Sequence, residues 1–303
     1  MPKDIALPHP TETPITDPNT CGEDHAYNLA LATTYASRFC ETCADYHATR
    51  SISRIMGTSA WSGISRPALV AFISNFVDEA AGAGSRDILI VGAAETSTLA
   101  TCAHAVAIKG AHHLEATRFH ILDKCETPLA LCRDFAQRHN LTARLSRDDL
   151  TNPCGSYSAD IVVLHCVLNF IATDYHLDIL RSALSWLKPE GRLFVWNALP
   201  RAPGTREKSG RKMENERVRQ MLADGRLTIG EDRETFLSRL EARHENIGVV
   251  SGLPTSYFET MLAELGAPVV SFDVFEEMRG MINGHEIKRQ YLQAVLAKNP
   301  TPA

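Results

Sequence analysis

The sequence predicts an α/β fold: a doubly wound, mainly parallel seven-stranded sheet, with a helical lid before it and a helical insertion after its fifth strand. Three observations predict it. Short apolar runs alternate with helical stretches from residue 87 to residue 197, and that alternation forces crossover connections and parallel neighbours. The first run, DILIVG at 87–92, is continuously apolar after its first residue and closes on glycine, as a strand covered on both faces does. The last two runs, PVVSFDVFEEM and IKRQYLQAVLA, are joined by a short loop holding Asn283-Gly284. So short a connection joins antiparallel strands, here an edge pair.

Bulk properties exclude several function classes. The chain has 303 residues, 44% hydrophobic and 22% charged, with a net charge of −5. That size buries a sizeable core. The slightly acidic balance lacks the basic footprint of a nucleic-acid binder, and no run approaches the roughly 18 apolar residues that span a bilayer. The N-terminus has no charged, apolar, small-residue order of a signal peptide. The expectation is a soluble cytoplasmic protein, monomer or homodimer, whose partner is a small molecule and neither nucleic acid nor membrane. Eight cysteines are scattered along the chain, without the dense spacing of a disulfide framework.

Each element follows from local pattern. Residues 1–22, rich in Pro, Thr and Asp, are expected to form an extended or disordered arm. Residues 23–84 form the helical cap: 23–56 holds neither Gly nor Pro and is predicted helical. Residues 57–67 break it, and Pro67 opens an apolar helix that glycines 82 and 84 stop. The core is expected over 85–199 and 254–303. Its first strand is followed by a helix over 97–110, with Ser97 as cap and Gly110 as stop. RFHILD, TARLS, ADIVVLH and GRLFVWNAL supply the next four strands, with helices opening at Thr127-Pro128 and running over 174–187. A turn at 188–191 precedes the fifth strand. Residues 200–253, basic and polar and then charged, are expected to be an inserted substrate cap, and 255–266 a helix of the core.

In such a sheet, ligands bind outside the carboxyl ends of the strands, where the strand order switches. Those ends hold Gly92-Ala93-Ala94-Glu95-Thr96, then Asp123, then Asp148-Asp149-Leu150, then His165 through Asn169. A glycine at a strand-to-helix turn lets the backbone approach a ligand closely. A carboxylate ending a buried strand needs donors, and a ribose diol supplies two. The alternative for Asp123 is a cap of the next helix, and for Asp149 a solvated turn residue.

In order and spacing, VGAAETS, FHILDKCETPL, SRDDL, ADIVVLHCVLNFI and LKPEGRLFV resemble the class I S-adenosylmethionine-dependent methyltransferases, over roughly 85–197 and more weakly over 254–298. The resemblance implies a Rossmann-like methyltransferase fold with S-adenosyl-L-methionine as cofactor and S-adenosyl-L-homocysteine as product. It also implies roles. The backbone of Gly92, Ala93 and Ala94 would lie against the cofactor's methionine and ribose portion. Asp123, beside Lys124, would take the ribose hydroxyls, and Asp149 with Leu150 the adenine. His165 and Asn169 would face the reacting centre. A dinucleotide enzyme fits less well: only Gly92 of the G-x-G-x-x-G fingerprint is present, and Asp123 follows it by 31 positions instead of about 20.

The chain departs from the family at the turn, which usually has three glycines and an acid two positions before the first. Here Ile90 occupies the acid position, and Ala94 and Thr96 replace the later glycines. Glu95 is then a candidate for the cofactor's ammonium, or for a cap of the following helix. Without a carboxylate to raise its pKa, the cofactor's amine is more often free. That admits a second enzyme: a methyltransferase-like cyclase releasing methylthioadenosine and azetidine-2-carboxylate. A non-catalytic cofactor-binding protein is a third alternative.

The lid supplies the remaining candidates. Tyr27, Tyr35, Tyr46, His47 and Arg50 lie on its helical segment, some at spacings of three and four. Aromatic rings attract a sulfonium by cation–π contact, worth on the order of 1–2 kcal/mol when desolvated; otherwise they anchor the lid. Tyr46 joins His165 and Asn169 as a catalytic candidate. His165 is a general base or a core histidine, and Tyr175 and Asn197 are further substrate contacts. Arg201, Arg206, Lys208, Arg211, Lys212, Arg217 and Arg219 make either a solvated face or a clamp for a substrate carboxylate. A small polar acceptor, an amino acid or thioether, is expected. Cys40 and Cys43 with His47 have metal-ligand spacing but no fourth ligand in view. Zinc sites close with four, so no metal is expected.

Overall fold

The computed structural model describes residues 8–40, 43–56, 64–79, 85–200, 208–246, 252–282 and 285–298. Seven strands form one sheet in the order β3-β2-β1-β4-β5-β7-β6. These are β1 (Arg86–Val91), β2 (Thr117–Asp123), β3 (Thr142–Arg147), β4 (Ala159–His165), β5 (Leu187–Ala198), β6 (Val269–Ile282) and β7 (His285–Ala297). The first five run parallel, and β7 joins β5 and β6 antiparallel. The edge pair is as expected, although Asn283-Gly284 lies outside the described residues.

Strand alternation builds the layers. Ile88 and Ile90 point into a core shared with Leu69 and Ile73 of α4 (Arg66–Glu79), Leu99 of α5 (Ser97–Ala107) and Phe135 of α7 (Glu126–Arg138). Leu89 and Val91 point the other way. They meet Ile179 and Leu180 of α8 (His176–Ser185) and Phe258 and Leu262 of α11 (Thr255–Leu265). A strand buried at every position of β1 is what a parallel sheet with helices on both faces requires. Val91 lies in register with Leu122 on one side and Leu164 on the other. The ends of β2, β1 and β4 therefore open side by side, where the order switches.

Some local expectations are corrected. The segment 23–56 is three helices, α1 (His25–Phe39), α2 (Ala44–Thr49) and α3 (Ile52–Ile55), because the chain turns extended at Cys40. Ser97 does not cap α5; Thr96 holds that place and makes no capping bond, while the Ser97 hydroxyl donates to Glu23. Gly110, at φ +133°, starts a short helix, α6 (Ala111–Glu115), rather than stopping α5. The turn at 188–191 lies inside β5, where its pairing with β4 is irregular between Ala159 and Ile161. The described part of the arm is irregular but held: Cys21 is fully buried, and the Ile15 and Asn19 carbonyls bond to His104 and Arg66. Within 200–253, α9 (Lys208–Ala223) and α10 (Arg233–Asn246) pack through Val218, Phe236 and Leu240 onto Leu29 and Ile52 of the N-terminal helices. Among the described residues, no helix is long and apolar enough to cross a membrane.

Candidate active site

The site is built on the turn after β1. Gly92 has φ +76°, and a Cβ there would stand 2.5 Å from Val167 Cγ2. Both the left-handed backbone and the close approach of the β4 loop demand glycine. The next residue, Ala93, donates its N–H to Asp123 Oδ2 at 2.8 Å, and Cys125 N–H donates to Asp123 Oδ1 at 2.7 Å. One carboxylate thus joins the ends of β1 and β2. Burial pushes its pKa up to about 6 despite these bonds. Each oxygen accepts one backbone N–H and keeps lone-pair capacity for a ligand hydroxyl, so the arrangement fits a ribose diol. The capping alternative is also partly realised, since the bond to Cys125 N shapes the start of α7, where Cys125 holds the N-cap position.

The lid meets this turn through polar contacts. His47 Nδ1 bonds the Ala94 carbonyl at 3.0 Å. Asn28 Nδ2 donates to Thr96 Oγ1, which donates in turn to Glu23 Oε1 at 2.7 Å. Glu23 Oε2 pairs with Arg66 at 3.0 Å. Glu95 takes neither of its expected roles. Its buried carboxylate accepts from Arg54 Nε at 3.1 Å and lies 3.7 Å from Arg50 Nε. Burial alone would raise its pKa, but Arg54 and Arg50 outweigh it and hold the carboxyl at about 2. Ile90, where the family carries an acid, is buried in the apolar core.

The β4 side holds His165, half-buried beside the charges of Arg50 and Arg54. Desolvation first, and then those two guanidiniums, push its pKa well below the ordinary histidine value, so the ring is neutral at neutral pH. Burial likewise lowers Arg54 and Arg243 to about 10 each. Arg243 reaches in from α10 to the Thr49 carbonyl. Tyr46 lies half-buried, its ring 5.4 Å from that of Phe170 in the β4 loop. Cys166, directly after His165, has φ +58°. A left-handed non-glycine residue is costly and collects at functional sites; neither composition nor periodicity signals it.

Several candidates are placed elsewhere. The Asn169 amide donates to the Ala198 carbonyl and accepts from the Ala198 N–H, both at 3.1 Å, so both ends serve the backbone of β5. Tyr27 and Tyr35 pack toward α7. Tyr27 donates to Asp134 at 3.0 Å, lies under Arg138, and shares an apolar cluster with Leu31, Leu131 and Tyr35. Asp149 is an exposed turn residue whose Oδ1 accepts from both Thr151 N and Thr151 Oγ1; Leu150 is buried. Lys124 is exposed, as is Tyr175 at 46%. Asn197 is fully buried, and its amide has no hydrogen-bond partner among the described residues. Arg201 and Arg206 lie outside the described residues, and so do the side chains of Lys208, Arg211 and Lys212. Arg219 pairs with Glu241 on the surface.

The structure also places His47 among cysteines. With Cys40, Cys43 and Cys125 it forms a group whose ligand atoms all lie within 4.8 Å of one another. The objection to a metal was the lack of a fourth ligand, and folding brings Cys125 in from the end of β2 to supply one. A separate groove of about 670 Å³ runs between α4 and the β6–β7 pair, lined by Phe72, Phe76, Val270 and Phe275. It lies along the antiparallel edge, not at the strand ends, and so is not the site that the turn and Asp123 build.

Residues 100–195 match the family model described as a methyltransferase domain. No curated protein matches the sequence. Among solved structures, TehB from Haemophilus influenzae is 11% identical, with 74% of this chain aligned to 62% of that one at a TM-score of 0.45. The chain therefore spans less than two thirds of that protein. A putative methyltransferase from Bacillus halodurans C-125 is 12% identical, 76% of this chain covering all of it at a TM-score of 0.47. Coclaurine N-methyltransferase bound to N-methylheliamine and S-adenosylhomocysteine is 11% identical, 77% of this chain covering 71% of it at a TM-score of 0.45. The matched segment runs from within α5 into β5, and this part of the chain carries a methyltransferase domain, with S-adenosylmethionine as cofactor.

Proposed function

We propose that this protein transfers the methyl group of S-adenosylmethionine to a small polar acceptor that carries a carboxylate, such as an amino acid or a thioether acid. The observation that carries the reading is the charge beside His165. Arg50 and Arg54 act on His165, with Arg243 beside Arg50; Glu95 lies near all three, Glu214 near Arg243, and Glu23, near Arg54, is already paired with Arg66. A surplus of desolvated positive charge favours an anionic guest. A sulfonium entering that field needs a carboxylate beside it, which the cofactor's own tail and an acidic acceptor both supply. Arg50, half-buried and only loosely paired at 3.7 Å, is the residue for the acceptor carboxylate. The transfer itself requires chiefly alignment and exclusion of water.

A second reading rests on a different observation. Ile90 is apolar, and Glu95 is neutralised by two arginines. The turn therefore offers the cofactor's ammonium no free acid of the kind the family uses, which favours the free amine. In that case the amine nitrogen attacks the cofactor's own γ-carbon. The C–S bond breaks, methylthioadenosine leaves with the electron pair, and the nitrogen loses a proton to give azetidine-2-carboxylate. A non-catalytic binder has no comparable support.

Mass spectrometry of reactions with S-adenosylmethionine separates these. Methyl transfer predicts S-adenosylhomocysteine and a methylated product only when a panel of small carboxylic acids is present. It also predicts a raised KM, with little change in kcat, for Arg50→Met. Methylthioadenosine from the cofactor alone would establish the cyclase and overturn the first reading.

A further inference from the structure

The cluster of Cys40, Cys43, His47 and Cys125 plays no part in the chemistry above, and its geometry points to a metal. Cys40 ends α1, Cys43 and His47 flank and enter α2, and Cys125 follows β2. The Cys125 sulfur lies 3.4 Å from that of Cys40 and 3.5 Å from that of Cys43. A tetrahedral zinc with sulfur at about 2.3 Å holds its ligand atoms roughly 3.8 Å apart; the two sulfur pairs at 3.4 and 3.5 Å need widen by only a few tenths of an ångström, and with all four atoms within 4.8 Å of one another no pair need close by more than about 1 Å. His47 is oriented as a ligand should be. Its Nδ1 is engaged by the Ala94 carbonyl, which fixes the tautomer and leaves Nε2 its lone pair, the outer-shell arrangement typical of metal-bound histidine. Cys40 is similarly braced by Thr127 Oγ1 at 2.9 Å.

We propose that Cys40, Cys43, His47 and Cys125 bind one zinc ion as a closed structural site. Three thiolates and one imidazole select zinc over the hard cations, and four protein ligands leave no open position for substrate. The site fastens the lid to the ribose end of the sheet. Cys125 N–H holds Asp123, and His47 holds the cofactor turn at Ala94. Metal binding thus fixes the two features on which cofactor binding depends, although the site itself does not rest on that function. A disulfide is the competing use of these residues. It would join only one pair, stranding a third thiol and the histidine.

Metal analysis of the untagged full-length chain, purified without chelators, tests this. One zinc per chain is expected, with X-ray absorption showing three sulfurs near 2.3 Å and one nitrogen near 2.0–2.1 Å. Zinc should fall below a tenth per chain in Cys43→Ser and Cys125→Ser, and stay at one in Cys154→Ser, whose cysteine is exposed and outside the cluster. The proposal is overturned if the unaltered chain holds less than a tenth of a zinc even after dialysis against an equimolar amount. A different ligand set in the absorption spectrum, or a Cys40–Cys125 disulfide in the non-reduced peptide map, overturns it equally. None of these readouts depends on methyl transfer.

Discussion

At the scale of single residues, the site is decided by backbone as much as by side chains. Gly92 is required twice over, by its φ of +76° and by Val167 2.5 Å from where a Cβ would stand. Gly92→Ala is expected to cost at least 1–2 kcal/mol in urea unfolding, since a left-handed alanine carries a penalty of that order before any clash. Asn169 illustrates the reverse case. A polar residue just past a strand end looks catalytic in sequence, yet its amide pairs at both ends with Ala198. Asn169→Ala should therefore unfold more easily, because it leaves buried backbone groups without partners. Its KM for cofactor should stay within about twofold; a large rise would return Asn169 to the pocket.

At the scale of elements, the lid is held by contacts of two kinds. One is the apolar and aromatic face of α1 against α7, where Tyr27 meets Asp134. Tyr27→Phe removes one hydrogen bond, and the expected loss is about 0.5–1.5 kcal/mol of stability with kcat and KM preserved. A KM raised tenfold would show instead that this tyrosine touches substrate. The other kind is buried charge. Glu95 has a folded pKa of about 2 against an ordinary 4.5. A depressed carboxyl pKa stabilises the fold above the unfolded value and loses that effect as pH falls toward the folded one. Stability is accordingly expected to drop between pH 4.5 and pH 2, by on the order of 3 kcal/mol from this group. Glu95→Gln should be destabilised at pH 7 and show a flatter slope across that window. An unchanged slope would mean that the pair with Arg54 does not form in solution.

At the scale of the whole molecule, what was legible in the sequence follows the range of the interactions involved. The strands and their layers were legible because a strand such as DILIVG carries its burial in its own composition, and the βαβ alternation then leaves few topologies. The positions of Gly92 and Asp123 at the strand ends were legible because strand ends are local landmarks. Glu23, which closes on Thr96 and Ser97, was not, because nothing near it in the chain says which turn it will meet. The same holds for Cys125, 82 positions from Cys43: a ligand set split between a lid and a strand end has no spacing to read. The tyrosines misled for a related reason. A helix has several faces, and only the packing of α1 on α7 decides that Tyr27 and Tyr35 are anchors.

We propose that the carboxyl edge of β1 and β2 holds the adenosyl cofactor through the Asp123 carboxylate. Titration calorimetry with S-adenosylhomocysteine, on the unaltered chain and on Asp123→Ala, tests it directly. Losing a charged acceptor from two hydroxyls costs about 1.5–3 kcal/mol, so saturable binding to the unaltered chain is expected, with affinity at least tenfold weaker in a folded variant. Equal affinities, or no heat of binding to either protein, would contradict it.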